Sequence, residues 1–232
     1  MKKTFEIILC CPHGGARAPA PHRTLFAGGR GVLSSHRGSD IGALALARAL
    51  ALRLQTPLIF TDVSRLIVDC NRGPRHPELF SEFTRTLGPA QKQRILEQFY
   101  TPYRTSVERA VTRAARARRT ALHLTIHSFT PVFNGQQRNA DVGLLYDYRR
   151  SAEKAFALQF IHAAATFNPN LRVRRNYPYR GDTVSHPTQL RKQYSADQYI
   201  GIEIEVNNKL LAGTGTAPRH AMLGNILSAI IF

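Results

Sequence analysis

Acidic side chains are scarce in this chain, and cysteines scarcer. Its 232 residues hold 15 aspartates and glutamates against 32 lysines and arginines, a formal net charge of +17. The three cysteines, Cys10, Cys11 and Cys70, are odd in number and irregular in spacing, which argues against a disulfide framework. No Cys-x-x-Cys pair occurs, so a thiolate zinc site is not expected. All three fall in strand-like apolar runs and read as buried small hydrophobes. No stretch approaches the ~18 uncharged apolar residues of a membrane helix. There is no Gly-x-Ser-x-Gly elbow, Walker loop or dinucleotide glycine fingerprint, which weakens serine-hydrolase, nucleotidase and dehydrogenase readings.

The basic excess points to nucleic acid, anionic surfaces or acidic ligands. Its densest run, residues 104–119, carries Arg104, Arg109, Arg113, Arg116, Arg118 and Arg119. Charge runs on helices are usually solvated faces. No zinc-finger spacing, aromatic RNA-binding signature or basic-zipper heptad accompanies this one.

What is present suits one α/β domain over residues 1–232, with 43% hydrophobic residues to build its core. Lys2 and Lys3 before an apolar run give the start a faint leader-like look. Glu6 interrupts that run and no small-residue cleavage site follows, so a first strand and a cytoplasmic protein are expected. Strands are expected at Phe5–Cys11, Leu58–Phe60 and residues 66–70, 121–126, 141–148, 171–174 and 199–206. Helices are expected at residues 39–54 with Ser39 as N-cap, 89–119 with a break near Pro102, 152–167 and 221–231. This alternation implies an α/β sheet covered on both faces. Three long loops, residues 14–38, 129–139 and 176–194, are candidates for building a site.

Two histidines stand at strand ends. His13 follows FEIILCCP and His127 follows ALHLTI, and α/β folds place ligands at the carboxyl ends of their strands. Two such imidazoles are a natural start to a zinc site, although each also suits a simple loop hydrogen bond. His123 shares a strand face with His127 but lies deeper and reads as structural. A third ligand is needed, with Asp40 or His36 as candidates; an acid opening a helix is also favoured by the dipole alone. In YIGIEIEV, period two puts Ile202, Ile204 and Val206 on one side and Glu203 and Glu205 on the other. Paired carboxylates inside a sheet need compensation, by a metal, arginines or a raised pKa. Either is a candidate general base beside a metal. Arg65 and Arg72 bracket the apolar stretch around Asp69 and Asn71, and Arg138 follows His127 in a glycine-containing loop; arginine suits bidentate carboxylate binding.

In order along the chain, CPHGG (11–15), SHRGSDIGALALA (35–47), SRLIVDCNR (64–72), IHSFTPVFNGQQR (126–138), DVGLLY (141–146), NYPYRG (176–181) and GIEIEVNN (201–208) resemble the N-formylglutamate amidohydrolase family over nearly the whole length. The resemblance implies a three-layer α/β/α sandwich around a mixed, mostly parallel sheet, similar to zinc carboxypeptidases and acylamino-acid deacylases. It implies a zinc ion, or another divalent metal, on His13, Asp40 and His127. Glu205 would be the general base and then acid, with Glu203 its rival. Arg65, Asn71, Arg72 and Arg138 would grip the carboxylates of a small acidic substrate, and Arg72 or Arg138 would also stabilise the oxyanion. One departure from the carboxypeptidase pattern is Ala16, where that pattern has a glutamate ligand. The rivals are another N-acylamino acid, a C-terminal peptide, or a basic nucleic-acid-binding protein on a hydrolase fold.

Overall fold

The computed structural model describes residues 5–232. Its strands are β1 (Phe5–Cys11), β2 (Leu58–Phe60), β3 (Thr120–Phe129), β4 (Val132–Phe133), β5 (Gln136–Gln137), β6 (Val142–Leu145), β7 (Val173–Arg175) and β8 (Tyr199–Asn207). Its α-helices are α1 (Arg30–Ser34), α2 (Ala43–Arg53), α3 (Pro89–Ile95), α4 (Thr101–Arg116), α5 (Ser151–Phe167), α6 (His186–Arg191) and α7 (Ala217–Ile231). Six strands form one sheet in the order β2-β1-β3-β8-β6-β7, while β4 and β5 make a separate hairpin. Within the six-stranded sheet β1 pairs in parallel with β2 and β3, β3 with β8, and β6 with β7, while the β6–β8 ladder is antiparallel. The sheet is therefore mixed and mostly parallel.

β3 and β8 are buried along their whole lengths, as expected for central parallel strands covered on both faces. Alternation sorts their side chains. Leu122, Leu124 and Ile126, with Ile200, Ile202, Ile204 and Val206, join the core formed with α2, α5 and α7. Ile8, Cys10, Ala121 and Tyr199 face the other way, against Tyr103, Val107, Val111 and Ala114 of α4. The result is three layers, α/β/α. The second core covers only part of its face. Towards the carboxyl ends of β3 and β8, the positions facing that side are polar: Thr125, His127, Glu203 and Glu205.

Several elements differ from the sequence reading. Residues 66–70 form turns, not a strand. The Ser64 hydroxyl accepts the backbone N–H of Leu66, and the Asp69 carboxylate accepts that of Asn71. Such local side-chain bonds compete with a sheet ladder, and Leu66, Ile67 and Val68 are buried instead in the α4-side core. The helix expected from residue 39 begins at Ala43. Gly42 adopts φ +81, and a Cβ there would come within 2.4 Å of Leu211. Asp40 is thus freed from the helix's first turn. The break expected near Pro102 is a π-helical turn at Leu96–Tyr100, and Pro102 itself sits in the first turn of α4. A widened turn before it absorbs the missing N–H. The strands expected at 141–148 and 171–174 shrink to β6 and β7, and the last helix starts earlier, at Ala217, with Pro218 in its first turn. The long loops carry structure of their own: a 3-10 turn at Ala20–Phe26 and α1, the β4–β5 hairpin, and α6.

Cys10, Cys11 and Cys70 are free and buried, Cys70 in the turn segment. Lys2 and Lys3, which carried the leader-like look, lie outside the described residues. Among the described residues no helix is long and apolar enough to cross a membrane.

Candidate active site

β1, β3 and β8 are adjacent and parallel, so their carboxyl ends open on the same edge of the sheet. His13 lies two residues beyond β1. His127 lies near the end of β3, directly across the ladder from Glu205, and Thr125 lies across from Glu203. Asp40 arrives from the turn before α2, pinned by its backbone N–H to the His13 carbonyl at 2.9 Å. A cavity of about 390 Å³ opens here, its floor made by His13, Asp40, His127, Glu203 and Glu205 and its walls by the segments 65–72 and 179–185.

His13, Asp40 and His127 offer ligand atoms all within 4.8 Å of one another, and all three are buried. The Asp40 carboxylate accepts from His127 Nδ1 at 2.8 Å, stands 3.4 Å from His13 Nδ1, and accepts from Arg65 Nη1 at 3.3 Å. Burial alone would raise its pKa; the two imidazoles hold it well below the usual carboxylate range. Behind the trio, Asp69 accepts from His13 Nε2 at 2.7 Å and from Arg65 Nη2 at 3.0 Å. Burial opposes its charge, but His13 and Arg65 overcome that and hold the carboxyl far down its range. His127 is pushed up to about 9: burial works against its charge, and Asp40 with the two glutamates outweighs burial. Glu205 is raised to about 8, chiefly by burial and against the pull of His127.

Three buried polar atoms here have no hydrogen-bond partner: His13 Nδ1, His127 Nε2 and Glu205 Oε2. Unpaired buried polar atoms are costly and call for an explanation. A divalent cation at His13, Asp40 and His127 fits the donor set. Two imidazoles and one carboxylate, with room left for a further ligand, is a catalytic-metal set. Asp69 on the far nitrogen of His13 is the outer-sphere carboxylate that orients ligating histidines. His36 lines the cavity and its pKa is lowered by burial, but it lies outside the ligand trio.

The other expected residues are distributed unevenly. Arg65, Asn71 and Arg72 line the cavity. Arg65 is already bonded to Asp40 and Asp69. Asn71 uses both ends of its amide, donating to Glu203 at 2.8 Å and accepting from the His186 backbone at 3.3 Å. Arg72 stands 3.7 Å from Asp69 and 3.3 Å from Glu78 at the rim. Arg138 does not line the cavity. It lies over the rings of Phe133 and Tyr179 and donates to the Tyr179 hydroxyl at 3.1 Å; Tyr179 lines the wall in its place. Its Nη1 is buried with no partner. His123 is buried away from the cavity and bonded to Tyr199 at 2.7 Å.

Sequence reasoning missed Tyr179, Arg180 and Ser185, which also line the cavity, and gave Asp69 no part in it. Asp69 had a signal of its own, as an acid inside an apolar stretch between two arginines. Tyr179, Arg180 and Ser185 lie in the loop 176–194, expected to build a site, but nothing singled them out within it.

A buried two-histidine, one-carboxylate trio beside a glutamate of raised pKa, at the carboxyl edge of a mostly parallel sheet, has the parts of a hydrolase site on an α/β sandwich. The N-formylglutamate amidohydrolase family model matches residues 5–212, and the chain belongs to that family of hydrolases. Among solved structures, a gene product of Agrobacterium tumefaciens is 33% identical with a TM-score of 0.78, over 97% of this chain and 91% of that one. N-formylglutamate amidohydrolase from Ralstonia eutropha is 21% identical with a TM-score of 0.71, over 98% and 93%, and shares the fold. No curated protein matches the chain.

Proposed function

We propose that this protein hydrolyses the amide bond of N-formyl-L-glutamate, or of a closely similar N-acyl acidic amino acid, with a divalent cation, zinc first, held by His13, Asp40 and His127. The observation that carries the reading is the buried trio His13, Asp40 and His127, whose ligand atoms lie within 4.8 Å of one another, with Glu205 directly across the ladder from His127. A cation bound there would supply Lewis acidity, polarising the amide carbonyl and making water a better acid.

The remaining work falls to side chains. Glu205 takes the proton of the attacking water and hands it to the leaving nitrogen, for which a carboxyl near pH 8 is well placed as the acid and a nearby positive charge favours its base form. Arg65 and Asp69 fix Asp40 and His13 in place. Arg72, whose ion pair with Glu78 is at the exposed rim, meets a substrate carboxylate, and Arg138, outside the cavity, donates to the hydroxyl of the wall residue Tyr179. Asn71 contributes by holding Glu203. The cavity volume suits a small molecule better than a polymer. An analogue lacking the side-chain carboxylate would forgo its charge-assisted bond with Arg72 and bind more weakly.

The test is Glu205→Gln. It is expected to bind one zinc per chain as the parent does and to release no formate from N-formylglutamate. Turnover at the parent rate would remove Glu205 from the reaction.

A further inference from the structure

The two glutamates of β8 point the same way but live in different surroundings. Glu205 has a buried oxygen with no partner. Glu203 is engaged at both oxygens: Oε1 accepts from Asn71 Nδ2 at 2.8 Å and Oε2 accepts from Ser185 Oγ at 3.3 Å. Those donors come from different walls. Asn71 lies in the turn segment 64–72, next to its last residue, and its backbone N–H donates to the same Asp69 oxygen that accepts from His13. Ser185 immediately precedes α6 in the segment 176–194. The two walls also bond each other directly, His186 N–H to Asn71 Oδ1 at 3.3 Å.

We infer that Glu203 is a positioning residue whose carboxylate clasps the segment 64–72 to the segment 176–194 across β8, leaving the proton chemistry to Glu205. A carboxylate has acceptor sites on both oxygens and can therefore hold two donors from different chains of contact at once. Here it orients the Asn71 amide so that Asn71 Oδ1 faces the His186 N–H. Through Asn71 and Asp69 the clasp reaches the acceptor behind His13. Ser185, Thr183 and Tyr179 on one wall and Arg72 on the other are thereby set at a fixed separation around the cavity. The kinetic part of this inference rests on the amide-hydrolase reading; the structural part does not.

Alanine and glutamine at position 203 separate a clasp from an acid or base. Glu203→Gln keeps an acceptor for Asn71 Nδ2 and offers an N–H to Ser185 Oγ, so the clasp survives without the charge. Glu203→Ala removes both bonds. Hydrogen–deuterium exchange over residues 181–190, on the full chain without substrate, is expected to quicken by about 10-fold or more in the alanine variant and to stay at the parent rate in the glutamine variant. With N-formylglutamate as substrate, kcat/KM is expected to fall by about 100-fold for alanine, as a misplaced binding wall would cause, and to remain within about 10-fold for glutamine. Unchanged exchange in the alanine variant overturns the inference, as does a glutamine variant as inactive as alanine. Should Glu203→Ala fail to fold, Ser185→Ala removes one of the two bonds, and unchanged exchange over the same residues would then overturn the clasp. If the parent protein itself releases no formate, the amide-hydrolase reading fails while the exchange measurement still decides the clasp.

Discussion

Asp69→Asn puts the support behind His13 to a direct test. The parent carboxylate accepts from His13 Nε2 at 2.7 Å and from the Asn71 backbone at 2.9 Å on one oxygen, and from Arg65 Nη2 at 3.0 Å on the other. The asparagine side chain has the same shape but only one acceptor oxygen. With that oxygen towards His13, its NH2 faces Arg65, donor against donor; with the amide reversed, His13 loses its acceptor. Either arrangement forfeits a charge-assisted bond, and such bonds are about twice as strong as neutral ones. Carboxylates in this position behind a ligating histidine typically affect metal affinity by about 10–100-fold, or about 1.4–2.7 kcal/mol. The assay is competition for zinc against a chromophoric chelator at fixed ionic strength, parent against variant, with no need for turnover. A zinc affinity in that range below the parent's is expected. An unchanged affinity in a folded variant would refute the reasoning that Asp69 holds His13 for a cation.

Asp141, at the entrance to β6, is held at about 2: burial pushes it up, and bonds from Arg172 and Lys209 more than offset that. Its folded pKa lies below the unfolded value of 3.8, so its contribution is fully present above about pH 4 and disappears as the pH falls through 2. Allowing for the exposure of both basic partners, Asp141→Asn is expected to cost about 1–2 kcal/mol in denaturant unfolding at pH 7 and almost nothing near pH 2; an equal cost at both pH values would contradict this. Gly143→Ala places a Cβ 1.7 Å from the backbone oxygen of Tyr177, which cannot rotate aside. Unfolding measurements are expected to show a loss of about 3 kcal/mol, at the upper end of ordinary overpacking costs, and a variant as stable as the parent would show that the segment from Tyr177 is free to withdraw.

Much of the fold is legible because it depends on local periodicity. The alternation of β8, with isoleucines on one side and glutamates on the other, survives intact because both faces of that strand are buried and a one-residue slip would exchange them. β1 and β2 are bounded by proline and by changes in polarity, and the structure keeps those bounds. The failures come where local hydrogen bonds defeat periodicity. Leu66, Ile67 and Val68 read as a strand because apolar runs of that length serve equally as core plugs, and only the Ser64 and Asp69 side-chain bonds decide between the two. Gly42 takes a left-handed conformation just before α2, where a Cβ would clash with Leu211, almost 170 positions away in the chain, which no local pattern reveals.

The candidate site divides in the same way. His13 and His127 stand out through their positions at strand ends, and Asp40 through the family resemblance. Asp69, Ser185 and Tyr179 acquire meaning only when separate segments meet, as in the 56-residue separation between His13 and Asp69. Arg138 shows the converse. It sits in a segment that resembles the family's, yet its guanidinium lies over Phe133 and Tyr179 and the tyrosine lines the wall. A one-dimensional pattern does not record which of two stacked side chains meets the cavity.

The most direct measurement is formate release from N-formylglutamate by zinc-loaded protein, with and without a strong chelator, alongside the bound zinc per chain. One zinc per chain is expected, with formate released in step with glutamate, loss of both zinc and turnover with chelator, and recovery of both on adding zinc back. Formate release that continues undiminished in protein shown to be free of divalent metal would contradict this.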